Sequence, residues 1–223
     1  ELNVLANVYG ITLLEPDVQQ DVLLTLLRET PAYYELVMVD ATGQESAHLT
    51  RGRLVLTENL PNRADDGIFQ QALVSGEVTF SPVYFNDSAR DHLITIAVPI
   101  EDLFTGEIGN VLIAEVRFQT VTEEILLGLN LESGEDVYVV DKNGVIIAHQ
   151  NPAYVLQDTV FKLPPTSGRH TGFTGNDVIL ASESVPLPGI ELIAVAETDY
   201  TNATTLAADL TQVALFVTGI TLV

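Results

Sequence analysis

The chain has 223 residues, 47% of them hydrophobic, and carries 31 acidic against nine basic side chains for a net charge of −22. That apolar content supports a packed core and excludes a disordered chain, while a surface this acidic, with no Lys/Arg cluster beside aromatic residues, excludes nucleic-acid binding. The absence of cysteine removes a disulfide framework, a thiolate nucleophile and any cysteine zinc site. The acidity itself is read as a solubility device, suited to a saline habitat, because net charge speaks to solubility more than to a partner.

In chain order, Leu2, Leu5, Val8 or Tyr9 and Leu13 recur at helical spacing, and Pro16-Asp17 opens a second helical stretch through Leu23, Leu24 and Leu27 that Thr30-Pro31 stops. Tyr33 to Asp40 and Glu45 to Leu56 read as a hairpin. Asp65-Asp66 caps a short helix carrying Phe69, Ala72 and Leu73, and Gly76 ends it. Strands are predicted at Val78 to Phe85, His92 to Ile100 and Ile108 to Phe118, then a connecting helix from Thr120 to Leu129. Val137 to Asp141 and Val145 to His149 form a second hairpin; an irregular stretch with Pro152, Pro164 and Pro165 follows. Val178 to Val185 then pairs with Ile190 to Glu197, and Asp199 opens a last helix. From Leu210 to Val223 there is no charge, over a run shorter than the ~20 residues of a membrane span. It is either a helix packing on its own domain or the first turns of a truncated transmembrane helix, and apolar residues on all its faces favour the second.

The chain repeats itself. Val39-Asp40-Ala41-Thr42-Gly43 with Ala47-His48 recurs as Val140-Asp141-Lys142-Asn143-Gly144 with Ala148-His149, each matched pair 101 positions apart. Val98-Pro99 then matches Val185-Pro186, and Leu112-Ile113-Ala114 matches Leu192-Ile193-Ala194, at offsets of 87 and 80. Two similar domains in tandem follow, the second with shorter loops.

Chemistry is sparse. There is no nucleophile elbow, phosphate-binding glycine loop, zinc-protease motif or calcium-loop spacing. No catalytic residue, metal ligand or cofactor is therefore assigned. His48 and His149 are matched strand positions and read as structural. Asn86-Asp87-Ser88-Ala89-Arg90-Asp91-His92 lacks the glycine of a calcium loop and reads as a hairpin tip solvating itself.

The order of long helix, Asp-x-x-Gly hairpin, short helix, Tyr-containing strand, apolar strand ending in Val-Pro and a second such unit resembles a double Cache domain. The carrying segments are Phe80-Ser-Pro-Val-Tyr-Phe-Asn-Asp87, Leu93-Ile-Thr-Ile-Ala-Val-Pro99, Val137 to His149 and Val185-Pro-Leu-Pro-Gly-Ile-Glu-Leu-Ile-Ala194. The resemblance implies an α+β fold of two tandem PAS-like domains with antiparallel sheets and a long N-terminal helix. It places a helical stalk at 1–30, a membrane-distal domain at 31–130, a membrane-proximal domain at 131–198, and a C-terminal helix running into a transmembrane segment at 199–223. The family supplies extracytoplasmic sensors of chemoreceptors, histidine kinases and cyclases, periplasmic or extracellular in the cell membrane.

By position, the resemblance implies a pocket walled by Asp66, Phe69, Tyr84, Asn86, Thr95 and Glu115. The amino-acid-binding subgroup holds a ligand carboxylate with an Arg-x-Trp-Tyr stretch. Here Asp66-Gly67-Ile68-Phe69 falls there, so Arg and Trp are missing, while Tyr84 matches the strand Tyr and Glu115 stands at the Asp that takes the amine. A cationic or neutral ligand is therefore expected in preference to a carboxylate, unless Arg63 or Arg90 swings in. A homodimer through Leu2, Leu5, Tyr9 and Leu13 and flanking transmembrane helices complete the expectation. The rival readings are a secreted or anchored solute-binding module without signalling output, and a hydrolase or lyase using carboxylates such as Asp87 and Asp91.

Overall fold

The structure, a computed structural model, describes residues 11, 14–51, 53–54, 60–102, 104–157, 159–187 and 189–205. The dimer-seam residues Leu2, Leu5, Tyr9 and Leu13, and the apolar run from Leu210, lie outside the described residues. The chain divides into two compact units, Glu1–Arg117 and Phe118–Val223.

In the first unit, α1 (Pro16–Glu29) starts on Pro16, whose fixed φ suits a first helical position and whose missing N–H is not needed there. A seven-stranded antiparallel sheet follows: β1 (Tyr33–Asp40), β2 (Glu45–Thr50), β3 (Arg53–Leu54), β4 (Thr79–Phe80), β5 (Tyr84–Asn86), β6 (Asp91–Glu101) and β7 (Ile108–Arg117). Helix α2 (Gly67–Ser75) is N-capped by Asp66, whose Oδ1 accepts from Ile68 N at 3.0 Å. Strand order is β3-β2-β1-β7-β6-β4, with β5 also on β6. Period-two alternation sends Val37 and Val39 to the face where Phe69 and Ala72 of α2 pack with Ala97, Val111 and Ile113. Leu36 and Met38 point the other way and are equally buried, as are Leu23 and Leu27 of α1, which packs on β1 and β2. Hence Leu36 to Val39 is one uninterrupted apolar run.

Two predicted strands are broken. The hairpin arm expected to reach Leu56 turns at Arg51, whose Nε donates to Tyr33 O at 2.6 Å and whose Nη2 donates to Thr30 O at 2.6 Å and to Leu27 O. The strand expected from Val78 to Phe85 becomes β4 and β5, with Pro82, which has no N–H for a ladder, between them.

The second unit holds α3 (Phe118–Gly128), β8 (Glu135–Asp141), β9 (Ile146–His149), α4 (Pro152–Leu156), β10 (Gly168–Thr171), β11 (Asp177–Leu187), β12 (Ile190–Asp199) and α5 (Tyr200–Thr205). Its five strands run β10-β11-β12-β8-β9, so β9-β8-β12-β11 repeats the order β2-β1-β7-β6. α4 and β10 arise inside the stretch read as irregular; Asn151 caps α4 by accepting from Ala153 N at 3.1 Å. Both halves are thus α+β with antiparallel sheets.

The repeated hairpins share their turn. Asp40 Oδ1 accepts from Thr42 N and Gln44 N at 2.8 and 3.0 Å, and Asp141 Oδ1 from Asn143 N and Val145 N at 2.8 Å each. Gly43 and Gly144 sit at φ 86° and 83°, the left-handed region open to glycine.

Candidate functional site

The inner face of the first sheet is apolar beneath α2 and turns polar at one end. Cross-strand pairing sets Ile113 beside Val37 and Glu115 beside Glu35, with Thr95 on the far side of Glu115. His48 lies beside Val37 on the same face. A β-bulge between Met38 and Val39 pairs Val39 with Glu45 rather than with Ser46, which re-aims the Glu45 side chain inward. The segment from residue 60 to 66 then crosses this edge, fixed by Arg63 N donating to Gly43 O at 2.6 Å and Glu45 N to Pro61 O at 3.3 Å.

Two linked groups result. In one, Arg63 Nε donates to Glu45 Oε1 at 2.5 Å, while its Nη2 and Nη1 stand 3.3 Å from Glu35 Oε1 and 3.6 Å from Asp66 Oδ2. His48 Nδ1 is 2.8 Å from Glu45 Oε2, and its Nε2 lies 3.2 Å from Glu35 Oε2, off the line of a good hydrogen bond. In the other, the Tyr84 hydroxyl donates to Glu115 Oε1 at 2.8 Å and sits 3.2 Å from Thr95 Oγ1.

Burial raises the Glu115 carboxyl above the ordinary value; the Tyr84 hydrogen bond opposes this and the neighbouring Glu35 charge reinforces it. Burial likewise raises the Tyr84 phenol, so it stays a donor. For His48, burial disfavours the charged ring, but Glu35 and Glu45 together outweigh that and the value rises. Arg63 shows the same balance, with Glu45 the largest favourable contact.

Of the six residues picked from sequence, Asp66, Tyr84, Thr95 and Glu115 belong to this cluster. Phe69 is buried in the core beneath it. Asn86 closes the adjoining loop, its Oδ1 accepting from Ser88 N and Ala89 N at 2.9 and 3.0 Å. Arg63 is present but engaged by three carboxylates, and Arg90 is exposed at φ 51°. Glu35, Glu45 and His48 complete the cluster, although the sequence pattern marks neither glutamate as a site residue and points to a structural role for His48. The signal available for Glu35 was its place in an otherwise apolar strand; none existed for Glu45, whose direction depends on the bulge. Among the described residues no group of three or more His, Asp or Glu is placed to hold a metal ion.

The second unit repeats part of this cluster and fills the remainder. Asp136, the repeat counterpart of Glu35, pairs across the strands with Glu197 as Glu35 pairs with Glu115. His149 Nε2 lies 3.0 Å from Asp136 Oδ2, the counterpart of His48 Nε2 at 3.2 Å from Glu35 Oε2. Yet the Tyr138 ring stands where the first unit has Val37, and it packs on Phe173, Phe161 and His149 with centroids 4.9, 6.2 and 6.1 Å away. Glu197, 4% exposed, accepts from the Tyr138 hydroxyl at 2.5 Å and from Phe173 N at 3.3 Å.

A sequence model of the family described as Cache domain, of the double type, matches residues 2–207. No curated protein sequence matches the chain. Among solved structures, it is similar in fold to the ligand-binding domain of the Pseudomonas aeruginosa PAO1 amino-acid chemoreceptor PctB in complex with L-Arg. The two are 19% identical with a TM-score of 0.59, over 93% of this chain and 81% of that one. The Pseudomonas fluorescens chemoreceptor CtaA domain with L-serine gives 17% identity and a TM-score of 0.57 over 89% and 84%. The P. aeruginosa PctC domain with GABA gives 15% and 0.55 over 76% and 75%. Domains of this family are extracytoplasmic, non-catalytic ligand-binding parts of membrane receptors; no helix among the described residues is itself long and apolar enough to cross a membrane. With the family model spanning nearly the whole chain, and two antiparallel units carrying the same hairpin, this chain belongs to the double Cache family of small-molecule sensor domains.

Proposed function

We propose that the chain is the extracytoplasmic input module of a transmembrane receptor and that its ligand binds on the inner face of the first sheet. Asp66, Tyr84, Thr95 and Glu115 form the contacts, with Glu35 beside them. Phe69 backs the site from the core, and Asn86 fixes the loop at its border. One observation carries this reading: Glu35 and Glu115 stand opposite each other on adjacent strands, at the polar end of a face that is apolar beneath α2. Like charges placed so are destabilising, and a ligand ammonium relieves the repulsion while taking the hydrogen bonds that Tyr84 and Thr95 orient.

The ligand class follows from the same charges, with one adjustment. L-Arg, L-serine and GABA, named for the similar structures, each carry a carboxylate, which speaks against a ligand that is merely cationic or neutral. Each also carries an amine, and the amine is the half that Glu35 and Glu115 support here. Isothermal titration against amines, amino acids and carboxylates is expected to give binding of amine-bearing compounds that Glu115→Ala weakens at least tenfold. Tight binding of a carboxylate without an amine, unchanged in Glu115→Ala, overturns the assignment.

Ligand binding biases the N-terminal and C-terminal helices between two arrangements, and that displacement is the signal passed to flanking membrane spans. The receptor works as a homodimer with Leu2, Leu5, Tyr9 and Leu13 at the seam. Sedimentation should show association that weakens when Leu5 and Tyr9 become charged; a monomer in both proteins removes that seam.

A further inference from the structure

We propose that Glu45 is the selectivity-determining residue of this site: by holding Arg63 and His48 through one buried carboxylate, it withholds both side chains from a ligand carboxylate and leaves an ammonium as the group the site accepts. This rests on the reading that a ligand binds at Glu35 and Glu115.

The Glu45 side chain is 0% exposed, and each of its oxygens has a cationic or ionisable partner, Arg63 Nε on Oε1 and His48 Nδ1 on Oε2. Its backbone N–H is fixed to Pro61 O on the same crossing segment that carries Arg63. The lock is therefore built from the bulge, the crossing segment and the ion pair together. A buried carboxylate that loses its partners is left with an uncompensated charge, so pulling Arg63 away to meet a ligand carries a penalty that an exposed arginine would not. The remaining partners of Arg63, Glu35 at 3.3 Å and Asp66 at 3.6 Å, hold it less closely. Glu45 acts through Arg63 and is a positioning residue. What it positions decides the sign of charge that the ligand brings: with Arg63 committed, Glu35 and Glu115 face the ligand and nothing in the cluster offers a carboxylate a free cation.

The test compares butylamine and butyrate, which share a carbon chain and differ in the charged end, by isothermal titration on the whole chain. The wild type is expected to prefer butylamine. Glu45→Gln, which keeps the volume and one acceptor for Arg63 but removes the charge, is expected to cut that preference at least tenfold by gaining butyrate affinity, and Glu45→Gln/Arg63→Gln is expected to lose the gain. A merely structural role for Glu45 would weaken both probes together and leave their ratio unchanged, and that result overturns the proposal. Should Glu45→Gln fail to fold, Arg63→Gln alone decides: tighter butylamine binding with no loss of butyrate supports the lock, and loss of butyrate binding shows that Arg63 reaches ligand despite Glu45. Glu115→Gln separates the two levels. If it leaves butylamine binding unchanged, or neither probe binds the wild type, the site itself is wrong; if it weakens butylamine while Glu45→Gln leaves the ratio intact, only the role of Glu45 falls.

Discussion

Arg63 and Phe161 make the same backbone hydrogen bond in the two repeats: each donates its N–H to the carbonyl of the Asp-x-x-Gly glycine, Arg63 to Gly43 at 2.6 Å and Phe161 to Gly144 at 2.8 Å. The crossing segments thus enter both units alike, and only their side chains differ. Arg63 brings a guanidinium to Glu35, Glu45 and Asp66, whereas Phe161 joins an aromatic core with Tyr138 and Phe173. One scaffold therefore presents a polar cluster in the first unit and plugs the matching place with its own rings in the second.

The Tyr138–Glu197 hydrogen bond should hold that plug together. Tyr138→Phe keeps the ring and removes the donor, leaving the buried Glu197 carboxyl with the Phe173 N–H as its remaining hydrogen-bond donor among the described residues. A loss of about 1–3 kcal/mol in urea unfolding is expected, the range for stranding a buried polar group. Tyr84→Phe should cost less, because Glu115 is only partly buried and water can replace the phenol. Equal losses would show that burial does not distinguish the two bonds.

The fold was legible wherever the signal was local. The Asp-x-x-Gly turns, the Asp66 cap and the long apolar strands are patterns of a few consecutive residues. The matched pairs Val98/Leu112 and Val185/Leu192 are indeed cross-strand partners. Register was less legible. Measured from the repeated hairpin, β12 is slipped by two residues against the sequence match, since Glu115 faces Glu35 while Glu197 faces Asp136. A two-residue slip keeps every side chain on its face, so the sequence carries no trace of it. Half of the cluster was hidden for a similar reason: Arg63 meets Glu45 and Glu35 across 18 and 28 residues, through a bulge and a crossing segment that periodicity does not report.

Gly43 and Gly144 should be intolerant of a side chain. Both have φ in the left-handed region, and an added Cβ would meet backbone atoms of the crossing segment, Ala64 N in one unit and Phe161 O in the other. Strain of about 1–3 kcal/mol is expected for each alanine from conformation alone, with the collision adding to it. Thermal melts of Gly43→Ala and Gly144→Ala should both shift down, and an unshifted melt in either would mean that the crossing segment yields freely there.

Arg51 should set how firmly α1 is tied to the sheet. Its guanidinium donates to the carbonyls of Leu27, Thr30 and Tyr33, which joins the end of α1 to the start of β1 from the far end of β2. Arg51→Met retains the aliphatic stem and removes all three donors. Hydrogen exchange should quicken in the last turn of α1 while the β1–β7 ladder stays protected. Uniform quickening across the unit would show a global loss of stability instead of a released helix end.

The acid–base balance of the first unit predicts a stability that falls toward alkaline pH. Burial holds Glu115 above its ordinary value near 4.5, so the folded state keeps that proton more tightly than the unfolded chain, and stability is lost as pH rises from about there through the folded value. For His48, burial opposes the charge but Glu35 and Glu45 prevail, so its contribution is complete below the ordinary value of 6.5 and is lost as pH rises through the higher folded value. The two effects have the same sign and act in successive windows. Self-repulsion among 31 acidic groups also grows with pH, which is why the variants and not the wild-type profile decide the matter. Glu115→Gln should flatten the thermal-melt profile in the mildly acidic window only, and His48→Gln only above about pH 6.5. If His48→Gln leaves the alkaline slope unchanged, the imidazole is not held in its charged form by Glu35 and Glu45, and the charge balance of the cluster must be redrawn with His48 neutral.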